Sequence, residues 1–172
     1  LCNKFPYPAA DGSSIAIMRM IDTILAANIQ VSLFSLNTKK HFKDTSALEK
    51  AYSGKLNITS VDVLTDITAS NTVANLVTGQ PFHVSRFFVS EVSEKLEMFL
   101  QNETFDIIQF EGIFMGPYLD VVRKNSNAKC VLRPHNIEYS IWERFIKSER
   151  NGLKSLYLQL QTRRLKKYEL EI

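Results

Sequence analysis

Residues 105–138 read FDIIQFEGIFMGPYLDVVRKNSNAKCVLRPHNIE, and this stretch decides the fold prediction. It holds a β-rich apolar run at 105–110, a helical pattern at 116–124 that Pro117 opens, and a second apolar run at 128–133. A strand, a helix and a strand joined by short loops are typical of a parallel βαβ unit. The stretch therefore predicts parallel strands covered by helices.

The same alternation extends in both directions along the chain. Upstream, the periodicity predicts a helix at 13–27, a strand at 29–36, a helix at 46–52, a strand at 58–64 and one long amphipathic helix from 81 to 102. Downstream it predicts helices at 138–148 and 153–170, separated by Asn151-Gly152. We therefore predict an α/β fold: a Rossmann-like, open, mostly parallel sheet with helices on both faces.

The composition is typical of a single globular domain. The chain has 172 residues, of which 45% are hydrophobic and 23% charged, and neither a linker nor an internal repeat divides it. Cys2 and Cys130 are too few for a disulfide framework or a four-cysteine zinc site, which favours a reducing compartment. The sequence shows neither a long apolar run nor a signal-peptide pattern, so we expect a cytoplasmic protein.

The first candidate site is the loop at the start of the chain. Ligands of open parallel sheets bind beyond the carboxyl ends of the strands, and this loop leads into the first helix through Gly12, Ser13 and Ser14. A helix N-terminus can bind an anion, although a simple turn with a helix cap explains the same residues. A single glycine here, in place of three at fixed spacing, argues against a dinucleotide site.

A second candidate is Glu111, at the end of the strand predicted at 105–110. Its carboxylate could accept hydrogen bonds from ligand hydroxyls, and a solvated carboxylate at the crevice mouth is the alternative interpretation.

The third candidate, and the sharpest, is His135, which follows the strand at 128–133. Imidazole donates or accepts a hydrogen bond and titrates near neutrality, so His135 is the candidate catalytic residue; a structural histidine bonded to backbone is the alternative. Asn136 is predicted to cap the next helix, and Glu138 lies in its first turn. His41 and His83 receive no role, and no metal site is predicted because metal-ligand spacings are absent.

Together these residues carry a resemblance to a known family. The start CNKFPYPAADGSS, the strand DIIQFEG, the segment RPHNIEY and the later RRLKKYE resemble the N-terminal domain of GT-B glycosyltransferases, in particular the bacterial, retaining family-four group. The likeness covers essentially the whole chain in element order. Its specific parts are the first loop and the His-Asn-x-Glu segment, and residues 38–104 are generic.

The resemblance implies a two-domain enzyme of cell-envelope polysaccharide biosynthesis. Residues 1–172 would form the acceptor-side domain, and a second domain outside this chain would bind the nucleotide-sugar and carry a Glu-x7-Glu motif. A sugar would pass from the nucleotide-sugar donor to a saccharide or lipid-linked acceptor without a cofactor or an essential metal, and this piece alone is expected to be inactive. His135 would contact the transferred sugar, Gly12 and Ser13 would lie near the donor phosphates or the acceptor, and Asn136 and Glu138 would shape the His135 loop.

The positive charge is concentrated at the C-terminal end. Residues 143–172 carry 8 Lys/Arg against 4 Asp/Glu, whereas the net charge of the whole chain is +3. A helix with Arg163, Arg164, Lys166 and Lys167 beside leucines could contact the inner membrane face, and a solvated charged face is the alternative. Nucleic acid is not expected as a partner, because no recognition motif accompanies the charge.

Two other kinds of function stay open from sequence. A stand-alone Rossmann-like module could bind a phosphorylated small molecule without catalysis, and a protein-interaction domain could use the first strand and the basic helix.

Overall fold

The computed structural model describes residues 1–39, 42–63 and 81–172, and the structural statements below refer to these ranges. In chain order, the helices and strands are α1 (Gly12–Ala26), β1 (Val31–Thr38), α2 (Ser46–Ala51), β2 (Leu56–Val63), α3 (Phe82–Ser85), α4 (Ser90–Asn102), β3 (Ile107–Glu111), a 3₁₀ helix (Ile113–Tyr118), α5 (Leu119–Asn125), β4 (Lys129–Arg133), α6 (Glu138–Ser148) and α7 (Gly152–Glu171). The predicted α/β class, with strands and helices in alternation, is confirmed.

The strands form two parallel pairs. β1 pairs with β2, with Val31 opposite Leu56, and β3 pairs with β4, with Ile107 opposite Lys129. In each pair, a helical crossover connects the two strands in the sequence, as parallel pairing requires.

Residues 1 and 2 lie between the two pairs and join them through backbone hydrogen bonds. The Cys2 amide donates to the Phe34 carbonyl at 2.9 Å, and the Leu36 amide donates to the Cys2 carbonyl at 2.9 Å. On the other side, the Glu111 amide donates to the Leu1 carbonyl at 2.9 Å. The segments are therefore ordered β2, β1, residues 1–2, β3 and β4 across the protein.

Successive side chains of β1 point to opposite faces of the strand, and a helix packs on each face. Leu33 packs in a buried cluster with Ile17 and Ile21 of α1. Phe34 lies in a different buried cluster, together with Leu96 of α4. The adjacent apolar residues Leu33 and Phe34 thus bury the two faces of the strand separately.

The long helix predicted at 81–102 is wrong as a single element. The structure divides it into α3 and α4, and Phe88, which fits the helical spacing, lies between them with 53% of its surface exposed. The buried Tyr118 stabilises the break, because its hydroxyl donates to the Phe87 carbonyl at 2.6 Å and accepts from the Val89 amide at 3.0 Å. A side chain distant in sequence therefore satisfies backbone groups that a helix would have paired.

The helix predicted at 116–124 also starts differently. Residues 113–118 form the 3₁₀ helix with Pro117 inside it, and α5 begins only at Leu119. The C-terminal end of α7 packs here: a β-carbon added at Gly116 would clash with the Tyr168 hydroxyl and with Ile172. Glycine at this position therefore permits the close approach of α7 to the 3₁₀ helix.

Candidate functional site

The carboxyl ends of the strands form one rim, which carries the sequence-predicted site residues. β3 ends at Glu111 and β4 at Arg133, and the parallel register places these two residues opposite each other. The first loop leaves the sheet after Cys2 and leads into α1, so the beginning of α1 lies at the same rim. Consistent with this, the Arg133 guanidinium donates to the Ala16 carbonyl, one helical turn beyond Gly12, at 3.5 Å.

Glu111 is the buried charge at the centre of this rim. Only 3% of its surface is exposed, and Gly112, at φ +84°, turns the chain immediately after it. The Arg133 guanidinium lies 3.4 Å from one carboxylate oxygen, and the Gln109 amide donates to the same oxygen at 2.5 Å. A buried carboxylate needs such partners, because burial without compensation is costly.

His135 lies against the other oxygen of the same carboxylate. Its Nε2 is 2.7 Å from Glu111 Oε2, although the angle does not satisfy a hydrogen bond. Neither atom has another hydrogen-bond partner among the described residues. The ring is 18% exposed, so one edge reaches solvent while the other lies on the carboxylate. Glu111 is thus placed to orient the imidazole, and it has almost no surface with which to contact a ligand itself.

Sequence reasoning missed two members of this cluster, Arg133 and Gln109. Both side chains also approach Met20 of α1, at 3.3 Å and 3.0 Å from its sulfur. The signal for Arg133 was available, since a residue that ends one parallel strand is expected to face the end of its neighbour. Gln109 offered a weaker signal: it lies two residues before Glu111, on the same face of the strand.

The first loop caps its own helix. The Asp11 carboxylate accepts hydrogen bonds from the Ser14 amide at 3.0 Å and from the Ser13 hydroxyl at 2.7 Å, and it pairs with Lys4 at 2.6 Å. The hydrogen bond from Lys4, followed by those from Ser14 and Ser13, holds the pKa of Asp11 well below its usual range. The alternative interpretation of this loop, a turn with a helix cap, is therefore confirmed, with Asp11 as the cap, and a fixed negative charge occupies the position where an anion would bind.

The three candidate residues of this loop differ in accessibility. Ser14 is buried, so its side chain faces the protein, whereas Gly12 is exposed and Ser13 is partly exposed. A β-carbon at Gly12 would meet no atom within 4 Å, so the backbone borders open space here. Gly12 and Ser13 are the two residues of the group that a ligand can reach.

The predicted cap of α6 is wrong. The residue preceding α6 is Ile137, and the Asn136 side chain donates to the Glu138 carboxylate at 3.4 Å instead of capping the helix. The first backbone amides of α6, which have no partner within the helix, are satisfied by Glu169 of α7. Its carboxylate accepts hydrogen bonds from the Glu138 and Tyr139 amides at 3.0 Å and 3.1 Å. This carboxylate also complements the helix dipole. Burial chiefly raises the pKa of Glu138, and the nearby Glu169 charge adds to it.

Among the described histidines and cysteines, His83 and Cys130 take no part in this cluster, whereas Cys2 lies beside Glu111 in the sheet. His83 is buried against Trp142, His41 lies outside the described residues, and Cys130 is an exposed free thiol. Burial raises the pKa of the Cys2 thiol to about 11, so it stays protonated and packs as an apolar group. In the described ranges, no group of three or more His, Cys, Asp or Glu side chains is arranged to hold a metal ion.

The Arg133–Glu111 pair has a measurable role in stability. Arg133→Met should lower the free energy of unfolding by about 2 kcal/mol, because the Glu111 carboxylate would stay buried without its cation. Urea unfolding measures the loss. Adding Glu111→Leu to this variant should recover most of it, since the double variant leaves neither charge uncompensated. Glu111→Leu alone completes the cycle: if the losses of the two single variants simply add in the double variant, the side chains are not coupled. Lys124→Met, at an exposed position of α5, is the control and should change stability by less than about 0.5 kcal/mol.

Comparisons with protein-family models, with curated proteins and with solved structures find no match.

Proposed function

We propose that the chain is the acceptor-side domain of a retaining GT-B glycosyltransferase, which moves a sugar from a nucleotide-sugar to a saccharide or lipid-linked acceptor. The observation that carries the proposal is the Glu111 carboxylate, buried at the strand rim with His135 on one oxygen and Arg133 on the other. Burying a carboxylate costs free energy even with partners, and buried charges beside a partly exposed titratable group are typical of functional sites.

The order of the chain segments supports the fold on which this proposal depends. Counting residues 1–2 as the first strand, the spatial order is third, second, first, fourth and fifth, which is the order of a doubly wound Rossmann-like sheet. In such sheets the ligand crevice lies where the strand order reverses, between the first and fourth strands. Gly12 lies in the loop that follows the first of these segments, and Glu111 ends the fourth; His135 follows the fifth strand and reaches this point through its contact with Glu111.

The chemistry proposed for the rim fits its residues. In glycosyl transfer, the bond between the anomeric carbon and the phosphate oxygen breaks, a bond to the acceptor hydroxyl oxygen forms, and that hydroxyl passes its proton to the departing phosphate. His135 lies against Glu111 through Nε2, which leaves its other ring nitrogen, Nδ1, to hydrogen-bond a sugar hydroxyl. Gly12 borders open space and the neighbouring Ser13 is partly exposed, so an acceptor would have room here. The departing phosphate needs positive groups, which the proposal assigns to the second domain.

The test is a transfer assay on the full-length protein that contains residues 1–172. The purified protein is incubated with a panel of nucleotide-sugars and with oligosaccharide or lipid-linked acceptors, and released nucleoside diphosphate and glycosylated product are quantified together. We expect both to appear for at least one donor. The non-catalytic binding module would be favoured instead if none of the nucleotide-sugars is hydrolysed or used for transfer and the chain binds a phosphorylated small molecule tightly.

A further inference from the structure

One face of α7 leaves apolar side chains in solvent. Leu153, Leu156 and Leu160 are 85%, 66% and 41% exposed. Their spacing of three and four residues places them on one side of the helix. The buried residues Leu158 and Leu165 lie on the other side and dock α7 onto the protein. Among the described residues, nothing covers this leucine stripe (Leu153, Leu156 and Leu160).

The leucine stripe continues into basic side chains. Arg163 and Lys167 follow Leu160 by three and seven residues, so they extend the same face of α7. Both are exposed, and Glu171 lies 3.9 Å from Lys167 at the end of the helix. The solvent face of α7 is therefore apolar in its first half and mainly basic in its second half.

A groove between α6 and α7 borders the leucine stripe. It has a volume of about 260 Å³, and its lining includes Lys147, Arg163 and Lys166. Glu143 lies 3.7 Å from Lys166 and offsets part of this charge. Thr162 also lines the groove, and its buried hydroxyl has no hydrogen-bond partner in the described structure. The groove thus carries an excess of positive charge, which suits an anionic oxygen group such as a phosphate.

Charge decides which partner fits this surface. A parallel pairing of two α7 helices would place Arg163 and Lys167 against their own copies, and like charges repel. An antiparallel pairing would place the same cations against the leucines of the other copy. An anionic lipid surface avoids both penalties, because acyl chains receive the leucines while headgroups attract the cations.

We propose that the α6–α7 hairpin docks on anionic lipid. The leucine stripe enters the boundary between headgroups and acyl chains, and the groove of Lys147, Arg163 and Lys166 lies against the lipid phosphates. The helix lies along the surface and does not cross it, since in the described part of the chain no helix is long and apolar enough to span a membrane. This inference depends on α6 and α7 alone and stands independently of the proposed glycosyl transfer.

Vesicle co-sedimentation tests the proposal. The protein is mixed with vesicles of phosphatidylcholine alone and with vesicles of an equal mixture of phosphatidylcholine and phosphatidylglycerol. We expect binding to the anionic vesicles only. Replacing Leu153, Leu156 and Leu160 together by glutamine should lower the partition coefficient by at least about tenfold, because the inserted apolar surface is lost. Replacing Lys147, Arg163 and Lys166 by glutamine should lower it on the order of 100-fold, at about fivefold per charge near the membrane surface.

Matched control variants show whether the loss of binding is specific to this surface or follows from any loss of charge or apolar surface. The charge control replaces three lysines that are exposed elsewhere by glutamine: Lys50, Lys55 and Lys124. The apolar control replaces the exposed Ile29 and Met98 by glutamine. Both controls should bind like the unmodified protein, and circular dichroism should show the same helix content throughout. Equal binding by the leucine variant and its control would overturn the proposal. So would a concentration-dependent dimer that the leucine variant abolishes, since the occupant would then be a second copy of this chain.

Discussion

His135→Ala should lower the proposed glycosyl transfer by about 100-fold or more, while the protein stays folded. The imidazole is the partly exposed group that Glu111 holds at the rim, so its removal takes away a preorganised hydrogen-bonding group at the reacting sugar. The loss should appear mainly in kcat, because a group that acts in the transition state contributes little to ground-state binding. Steady-state kinetics with saturating nucleotide-sugar measure both parameters.

The structure also indicates why this change should be tolerated by the fold. Glu111 retains Arg133 and Gln109 as partners when the imidazole is gone, so we expect the free energy of unfolding to fall by no more than about 1 kcal/mol. Lys50→Ala, exposed on α2, is the control and should keep the rate of the unmodified protein. A His135→Ala protein with unchanged kcat would remove this residue from the site, whatever its stability.

Features of the fold that depend on neighbouring residues could be predicted from sequence. α1 is an example, since Ile17 and Ile21 recur at helical spacing and Asp11 caps a helix whose Ser14 amide is only three residues away. The strands could be predicted in the same way, because each contains a short run of β-favouring apolar residues. Glu111, at the end of β3, was found because the carboxyl ends of parallel strands are known places for ligands.

Features that depend on distant residues could not be predicted in the same way. The helical period continues through residues 86–89, and only Tyr118, about thirty residues away, makes a break there stable. The cap of α6 also depends on a residue distant in sequence. Asn136 satisfies the local rule for a cap, but Glu169, brought close by the packing of α7, accepts the hydrogen bonds instead.

The candidate site combines both kinds of information. His135 was identified from its position after a strand, yet its carboxylate partner lies 24 residues earlier and becomes its neighbour only through the register of β3 and β4. The parallel register also explains why Arg133 belongs to the site. Pairing the strand ends before assigning roles adds Arg133 to Glu111 and His135, whereas Gln109, in the middle of β3, is found only from the side-chain contacts.

His83 should make the stability of the protein depend on pH. Its ring stacks on Trp142 with 3.9 Å between ring centres, and it is 8% exposed. Burial, with a smaller contribution from the Arg86 charge, lowers its pKa from 6.5 to about 4. Above pH 6.5 the ring is neutral in both the folded and the unfolded protein. Between pH 6.5 and pH 4 the unfolded chain alone takes up the proton, so stability should fall as the pH decreases, by about 3 kcal/mol in total.

His83→Phe isolates this contribution from that of the carboxyl groups. Phenylalanine keeps a planar ring against Trp142 and removes Nε2, which is buried without a hydrogen-bond partner. Urea unfolding of both proteins between pH 8 and pH 4 measures the difference, in which all other titrating groups cancel. We expect the variant to gain about 2 kcal/mol relative to the unmodified protein between pH 7.5 and pH 5. Two parallel stability curves would show that His83 takes up its proton equally well in the folded protein, and hence that the Trp142 stack does not exclude the charged ring.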